Sequence, residues 1–303
     1  MKLERNSGIL LHPSSLPDSP ICGSFGEPAR VWLNELACSG IGVWQFLPLA
    51  PTDSFGSPYS SPSSFAFNPW FLDQNDLVRE GFLPNNLENY FHNNNNFDNK
   101  VDFQLANSKV NSLRFSLVDY WEKQNKTIQE EFEVWSSRQF WLDDHSIFME
   151  LKIQNNNLPW WEWPDKYANR DKKELANWKI NNQKELLGHN LLQWHLDRQW
   201  KSIRKLAKEL GVFLFGDVPF YVSKDSADVW SNRSLFSILT NSDTFFQSGV
   251  PPDYFSETGQ LWGNPVYRWS RHKASNYRWW RKRISRHLEQ VDFLRLDHFR
   301  ALE

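Results

Sequence analysis

The sequence predicts an α/β fold built on a parallel sheet. Three segments repeat one pattern, in which apolar residues at helical spacing are followed by a short apolar run typical of a buried strand. A further apolar run, residues 8–11, precedes the first of these segments. One strand followed by three helix–strand units favours parallel strands joined by right-handed crossovers.

The first helix–strand unit follows Pro28, a residue suited to the start of a helix. Apolar side chains recur on one helical face across residues 29–37, and Gly40 suits the C-cap of that helix. The apolar run 41–47 then predicts a strand, which ends at a proline.

The second and third units lie in the C-terminal third of the chain. Each predicted strand ends at an aspartate, Asp217 in the second unit and Asp297 in the third. The helices and strands are predicted over 196–210 and 212–215 in the second unit, and over 277–288 and 291–296 in the third.

Residues 51–195 separate the first two units and are far too long for an ordinary crossover. They begin with a Ser/Pro/Phe loop and contain the low-complexity surface loop Asn93–Asn96. Helical spacing returns around residues 110–121 and 128–148, which predicts a mostly helical insertion. The chain is therefore divided into residues 1–69 with the first two strands, the insertion 70–190, and residues 191–303 with the last two strands.

The charge balance and the cysteines exclude several classes of protein. The 303 residues carry 34 Lys+Arg against 36 Asp+Glu, which argues against nucleic acid or an anionic membrane as the main partner. The two cysteines, Cys22 and Cys38, can form neither a disulfide framework nor a four-ligand zinc site, so we expect a cytoplasmic protein. No apolar run has the length of a signal-peptide core or a membrane span.

Reactive groups of parallel α/β folds cluster at the carboxyl ends of the strands. Those ends carry His12, Asp217, and the group Arg295, Asp297 and His298. Strand alternation places Arg295 and Asp297 on one side, where an arginine can hold a nucleophilic carboxylate ionised. A structural ion pair explains the same spacing equally well, and a single strand-end aspartate is more often a helix cap or turn residue.

Residues 249–265 form a polar segment, broken by proline and glycine, that nevertheless keeps Tyr254, Phe255 and Trp262. Long loops with retained aromatic residues are usually packed lids or binding loops. The simpler interpretation is a loop that covers its own small core.

Five motifs in order resemble those of the amylomaltases, the bacterial and plastid 4-α-glucanotransferases. The likeness runs from the first residues to the last and is weakest in the helical insertion. The motifs are His12-Pro-Ser-Ser-Leu-Pro17, the Pro48–Pro69 loop with Ser57-Pro-Tyr59, Gly216-Asp-Val-Pro-Phe-Tyr-Val222 with Asp225-Ser-Ala-Asp-Val-Trp230, the Val250–Trp269 loop, and Arg295-Leu-Asp-His-Phe-Arg300.

The resemblance implies a (β/α)8 TIM barrel of the α-amylase superfamily that acts on maltooligosaccharides and other α-1,4-glucans by a retaining double displacement, without cofactor or metal. Asp297 stands at the position of the nucleophile. Nine further positions match substrate contacts of the family: Ser57, Tyr59, Asp217, Tyr254, Gln260, Trp262, Asn264, Arg295 and His298.

The resemblance also implies residues beyond this sequence. The general acid/base Glu and a transition-state Asp of the family lie on later strands, whereas this sequence ends at Glu303. We therefore expect the first half of the barrel, the N-terminal part of an enzyme. The alternatives are a glucan-binding protein without catalysis, and a metal-dependent hydrolase with His12, Asp217, Asp297 and His298 as ligands, although metal sites prefer a clustered, histidine-rich shell.

Overall fold

The computed structural model describes residues 5–17, 19, 21–85, 100–239, 242–254 and 256–302. The low-complexity run at 93–96, Phe255 and Glu303, which the sequence analysis names, lie outside these residues. The strands are β1 (Gly8–Leu10), β2 (Val43–Gln45), β3 (Phe213–Val218), β4 (Gln247–Val250), β5 (Gln260–Pro265) and β6 (Phe293–Leu296). The helices are α1 (Glu27–Cys38), α2 (Gln74–Arg79), α3 (Phe103–Trp121), α4 (Lys126–Arg138), α5 (Leu142–Gln154), α6 (Asp165–Ala168), α7 (Lys172–Asn181), α8 (Gln183–Glu209), α9 (Ala227–Ser231), α10 (Trp269–Ala274) and α11 (Arg278–Leu288).

Four parallel strands form the central sheet in the order β1-β2-β3-β6. Helix α1 connects β1 to β2, α8 leads into β3, and α11 leads into β6. The predicted α/β fold with three helix–strand units is confirmed. Each helix ahead of a strand buries an apolar face, as in α1, where Ala29, Leu33 and Leu36 are buried.

The core beneath the sheet is built around Trp200 of α8. Its ring packs against Phe25, Trp44 and Phe46, with ring centroids 4.6 to 6.2 Å apart, and its Nε1 donates to the carbonyl of Gln290 at 2.8 Å. Burial of such large rings supplies much of the hydrophobic stabilisation. Many other tryptophan and phenylalanine rings of the described residues are buried as well.

In the described residues between β2 and β3, the chain forms the seven helices α2 to α8. The predicted helical stretch 128–148 consists of two helices, because the chain turns at residues 139–141 between α4 and α5. Helix α8 continues through residue 190, where the sequence analysis places the end of the insertion, and its C-terminal half packs under the sheet.

A buried ionic cluster joins three of these helices. Arg114 of α3 contacts the carboxylate of Glu150 of α5, and His189 of α8 lies 3.1 Å from the same carboxylate oxygen. All three residues are less than a tenth exposed. Burial alone would raise the pKa of Glu150, but His189 and Arg114 outweigh it and hold that pKa at about 2.

The segment 249–265, predicted as an irregular loop, contains an antiparallel hairpin. Strands β4 and β5 pair with a bulge between Gln247 and Gly249, and Gly259 precedes β5 with a positive φ of 73°. A Cβ at this position would lie only 2.5 Å from the carbonyl oxygen of Val250, so the turn requires glycine. Within the described residues, no helix has the length and apolar character required to cross a lipid bilayer.

Candidate active site

Two charged residues lie directly opposite each other on the paired strands β3 and β6. Asp217 of β3 is the register partner of Arg295 of β6. The Nη1 of Arg295 donates to Oδ2 of Asp217 at 3.1 Å, and its Nη2 contacts the carboxylate of Asp297 two residues further on. One guanidinium therefore connects both aspartates, as strand alternation predicts for Arg295 and Asp297.

The two aspartates differ in their access to a ligand. The side chain of Asp217 is 2 % exposed, whereas that of Asp297 is 38 % exposed. Asp297 follows the last residue of β6, and its backbone N–H donates to the carbonyl of Val218 at 3.2 Å. Of the two carboxylates, that of Asp297 is thus the one open to a bound molecule, and it is fixed at the strand end by its backbone and by Arg295.

Asp217 lies inside β3 rather than after it, which corrects the predicted strand end at residue 215. Burial raises its pKa, opposed by a hydrogen bond from the Tyr59 hydroxyl at 2.7 Å and by the charge of Arg295. Burial also raises the pKa of Tyr59, so its phenol remains a neutral donor. The structure therefore brings Tyr59, from the first long loop, into the same cluster.

A second group of rings borders this cluster. His298 adopts a positive φ of 54°, and its ring meets Trp262 of β5 edge-on, with 4.8 Å between centroids. The Nε1 of Trp262 donates to Oε1 of Gln260 at 2.9 Å. His298 also lines an open cleft of ≈ 580 Å³, whose wall includes Tyr221 and residues 249–253. An aromatic wall beside hydrogen-bonding groups is a suitable surface for a sugar ring.

Three further predicted site residues, Ser57, Asn264 and Tyr254, lie outside the cluster of Asp217, Arg295 and Asp297. Ser57 accepts a hydrogen bond from the Tyr59 backbone N–H and so shapes the turn that carries Tyr59. Asn264 lies half-buried on β5, and Tyr254 is 98 % exposed in the β4–β5 connection.

The sequence analysis did not single out Tyr221, although it lies in a motif named there. Its ring stacks on Tyr267 with centroids 6.1 Å apart and also faces Trp262 and His298. The turn before it is held by Arg283 of α11, which donates to the carbonyls of Pro219 and Phe220 at 2.6 and 2.9 Å. Arg283 is 1 % exposed, and no sequence signal distinguishes it from the other basic residues of its helix.

The described residues contain no cluster of three or more His, Cys, Asp and Glu side chains that could hold a metal ion. His12, considered as a metal ligand, packs its ring edge-on against Phe71 at 5.5 Å. Burial lowers the pKa of His12 to about 4, so the ring is neutral at pH 7.

Comparison with known proteins identifies the family to which the chain belongs. The family model described as 4-alpha-glucanotransferase, of glycoside hydrolase family 77, matches residues 11–303. The chain belongs to this family. The match begins one residue after the end of β1 and covers the other three strands of the central sheet.

Relatives of the 4-alpha-glucanotransferase family cover the whole chain. Proteins of that name from Synechocystis sp. and Thermus thermophilus are 39 % and 37 % identical over 99 % and 100 % of this chain, and over 60 % of their own lengths. The amylomaltase from Streptococcus agalactiae in complex with acarbose has 33 % identity and a TM-score of 0.91 over 98 % of this chain and 60 % of its own. The chain thus spans about 60 % of the length of these relatives, and the structural neighbour supports the predicted partial TIM barrel.

Proposed function

We propose that this protein acts as a 4-α-glucanotransferase that moves α-1,4-glucan segments to the 4-hydroxyl of an acceptor glucan or glucose. The observation that carries the proposal is the exposed carboxylate of Asp297, held by Arg295 beside the buried pair of Asp217 and Tyr59. The guanidinium of Arg295 places a positive charge against that carboxylate and fixes its orientation, which suits a nucleophile. Membership of the family supports the same activity.

In the proposed reaction, Asp297 attacks the anomeric carbon of the donor glucan and forms a covalent glycosyl ester. The bond to the leaving sugar oxygen breaks, and a carboxylic acid protonates that oxygen. The 4-hydroxyl of the acceptor then attacks the same carbon from the opposite face and gives its proton to the conjugate base of that acid, while the ester bond breaks and releases the Asp297 carboxylate. Two inversions restore the α configuration. We assign the acid to none of the residues described.

The proposed substrate contacts surround Asp297. Arg295 and His298 orient the nucleophile and the sugar, and Asp217 with Tyr59 receives hydroxyl groups of the same ring. Gln260, Trp262 and Asn264 on β5 contact the glucan, with Trp262 as its stacking surface. Ser57 and Tyr254 complete the proposed binding set.

A product analysis with maltotriose tests this proposal. Transfer predicts glucose together with maltooligosaccharides longer than maltotriose, whereas hydrolysis yields glucose and maltose only. Binding of maltotriose without any conversion would instead favour a glucan-binding protein without catalysis, the alternative that arose from the sequence. A protein that neither binds nor converts maltotriose would contradict both functions.

The aromatic side chains of the β4–β5 connection also suggest why transfer exceeds hydrolysis. We expect Tyr254→Ala to lower the ratio of transfer to hydrolysis by about 2- to 10-fold, since its ring would stack on the acceptor and exclude water. The ratio is measured from longer oligosaccharides and released reducing ends. Tyr120→Ala, on the remote helix α3, is the matched control. An unchanged ratio in Tyr254→Ala would refute the lid role.

The proposed setting of this activity is the cytoplasm, with maltooligosaccharides and other α-1,4-glucans as the partners. We also propose that residues 1–69 and 191–303 supply the barrel segments that carry the site, while residues 70–190 form a helical insertion. The contacts between Tyr59, Asp217 and Arg295 support this division, because they join the first and last of these parts.

A further inference from the structure

A second cleft lies between the start of α5 and helices α9 and α11. Its volume is ≈ 270 Å³, close to the lower end of small-molecule sites. The residues around it include Phe140, Trp141, Asp228 and Trp279, and none of them belongs to the Asp217–Arg295–Asp297 cluster. We call it the Trp141–Trp279 cleft.

The aromatic side chains of this cleft are held in fixed positions. Phe65 meets Phe140 edge-on at 5.0 Å and Trp279 edge-on at 5.8 Å between ring centroids. Phe65, Trp141 and Trp279 are buried, whereas Phe140 is 45 % exposed at the rim. The cleft therefore has rigid apolar surfaces without needing a ligand to order them.

The charges around the Trp141–Trp279 cleft balance. Asp144 and Asp228 face the same space as Arg278 and Lys282, so the wall carries no net preference for an anion or a cation. Asn232 and several serine hydroxyls add groups that both donate and accept hydrogen bonds. This combination suits a neutral ligand with many hydroxyl groups.

Three wall residues carry unpaired ring nitrogens. The Nε1 of Trp141, the Nε1 of Trp279 and the Nδ1 of His145 are buried without a hydrogen-bond partner in the part of the chain that the structure describes. Burial lowers the pKa of His145 to about 3, so its ring is neutral and can donate through one nitrogen and accept through the other. Other buried ring nitrogens of the described residues, such as the Nε1 of Trp280, also lack a partner, so what distinguishes this cleft is its shape and its wall residues.

We propose that the Trp141–Trp279 cleft binds one pyranose unit, or a disaccharide, of a neutral glucan at a site separate from Asp297. An aromatic surface fits the apolar face of a sugar ring, and the balanced polar groups fit its hydroxyls. The choice of glucan as the sugar rests on the proposed function; the size and charge of the cleft do not depend on it.

Indole resonances distinguish the two sites in one titration. The 303-residue chain is labelled with ¹⁵N-tryptophan and titrated with maltose, with signals assigned by Trp→Phe variants. We expect the Nε1–H signals of both Trp141 and Trp279 to shift with saturation, while Trp262 reports separately on the Asp297 site. The open-chain polyol sorbitol, which lacks a ring face, should shift neither Trp141 nor Trp279.

Each outcome of the titration has a separate meaning. Shifts of Trp262 without shifts of Trp141 and Trp279 would overturn the second site and leave the proposed function standing. Shifts of Trp141 and Trp279 without Trp262 would support the second site while the proposed function loses its binding support. No shifts at all would mean that the cleft holds water only and would count against both proposals.

Substitution at the rim gives an independent test. Phe140→Ala should weaken maltose binding, read at the Trp279 signal, by about fivefold or more. The matched control is Phe115→Ala on α3, since Phe115 is also about half exposed and has the guanidinium of Arg114 4.8 Å from its ring centre, as Phe140 has Lys282 at 3.8 Å. Equal weakening by both substitutions, or none by Phe140→Ala, would overturn the proposed site.

Discussion

Asp297→Asn is expected to reduce the rate of glucan transfer by about 10⁴-fold or more, while maltotriose binds within about threefold of the unmodified protein. The amide has nearly the same shape as the carboxylate, but it cannot form the glycosyl ester. Arg295 keeps its hydrogen bond to Asp217, so the local structure should persist. The measurement is kcat/KM for maltotriose disproportionation, together with the binding constant of the variant.

Asp292→Asn is the matched control for this experiment. Asp292 precedes β6 at its other end, pairs with Arg204 at 3.0 Å and accepts a hydrogen bond from the Leu214 backbone at 2.9 Å. Asparagine retains an oxygen that can accept the hydrogen bond from Leu214, so the transfer rate of the Asp292→Asn variant should stay within about twofold of that of the unmodified protein. If Asp297→Asn retained more than a tenth of the activity, Asp297 would not be the nucleophile.

Glu150→Gln is expected to lower the free energy of unfolding at pH 7 by about 3–5 kcal/mol. The substitution leaves Arg114, which is 5 % exposed, as a buried charge without its carboxylate. Urea denaturation measures the difference. Glu174→Gln, in an exposed ion pair with Lys166 at 3.0 Å, should leave the stability close to that of the unmodified protein, since solvent screens this pair.

The stability contributed by Glu150 should also depend on pH. Its folded pKa of about 2 lies below the ordinary value of 4.5, so the contribution is fully present above about pH 4.5 and is lost as the pH falls towards 2. The difference between the unmodified protein and Glu150→Gln should therefore narrow as acid is added. A difference that stays constant from pH 6 to pH 3 would show that the carboxylate is not ionised through these contacts.

Much of the fold follows from the sequence because helix and strand periods differ. Apolar spacing identified all four strands of the central sheet and the helices that precede three of them. The positions at which the strands end follow less closely from apolar spacing. The predicted strand 212–215 stops before Gly216 and Asp217, but pairing with β6 extends β3 to Val218, and pairing partners are invisible in a local pattern.

The hairpin in residues 249–265 shows another limit. Proline and glycine within a polar segment indicated an irregular loop, whereas cross-strand pairing of β4 and β5 overrides those local preferences.

The candidate site was predicted in part for a similar reason. Strand alternation was sufficient to place Arg295 beside Asp297 on one side of the sheet. The contact of Tyr59 with Asp217 spans 158 residues of sequence, and although the resemblance to amylomaltases named both as substrate-binding positions, nothing in the sequence predicted that they touch. Arg283 had no signal at all, since its role depends on two backbone carbonyls near the end of a different strand.

The direct pairing of Asp217 with Arg295 also bears on how the protein folds. Side chains alternate with a period of two, so a slip of one residue between β3 and β6 would turn Arg295 and Asp297 to the opposite face of the sheet. Asp217 would then be buried without its cation, at a cost that disfavours the slipped pairing. The guanidinium that we propose to hold the nucleophile would therefore also favour the correct alignment of two strands separated by more than seventy residues.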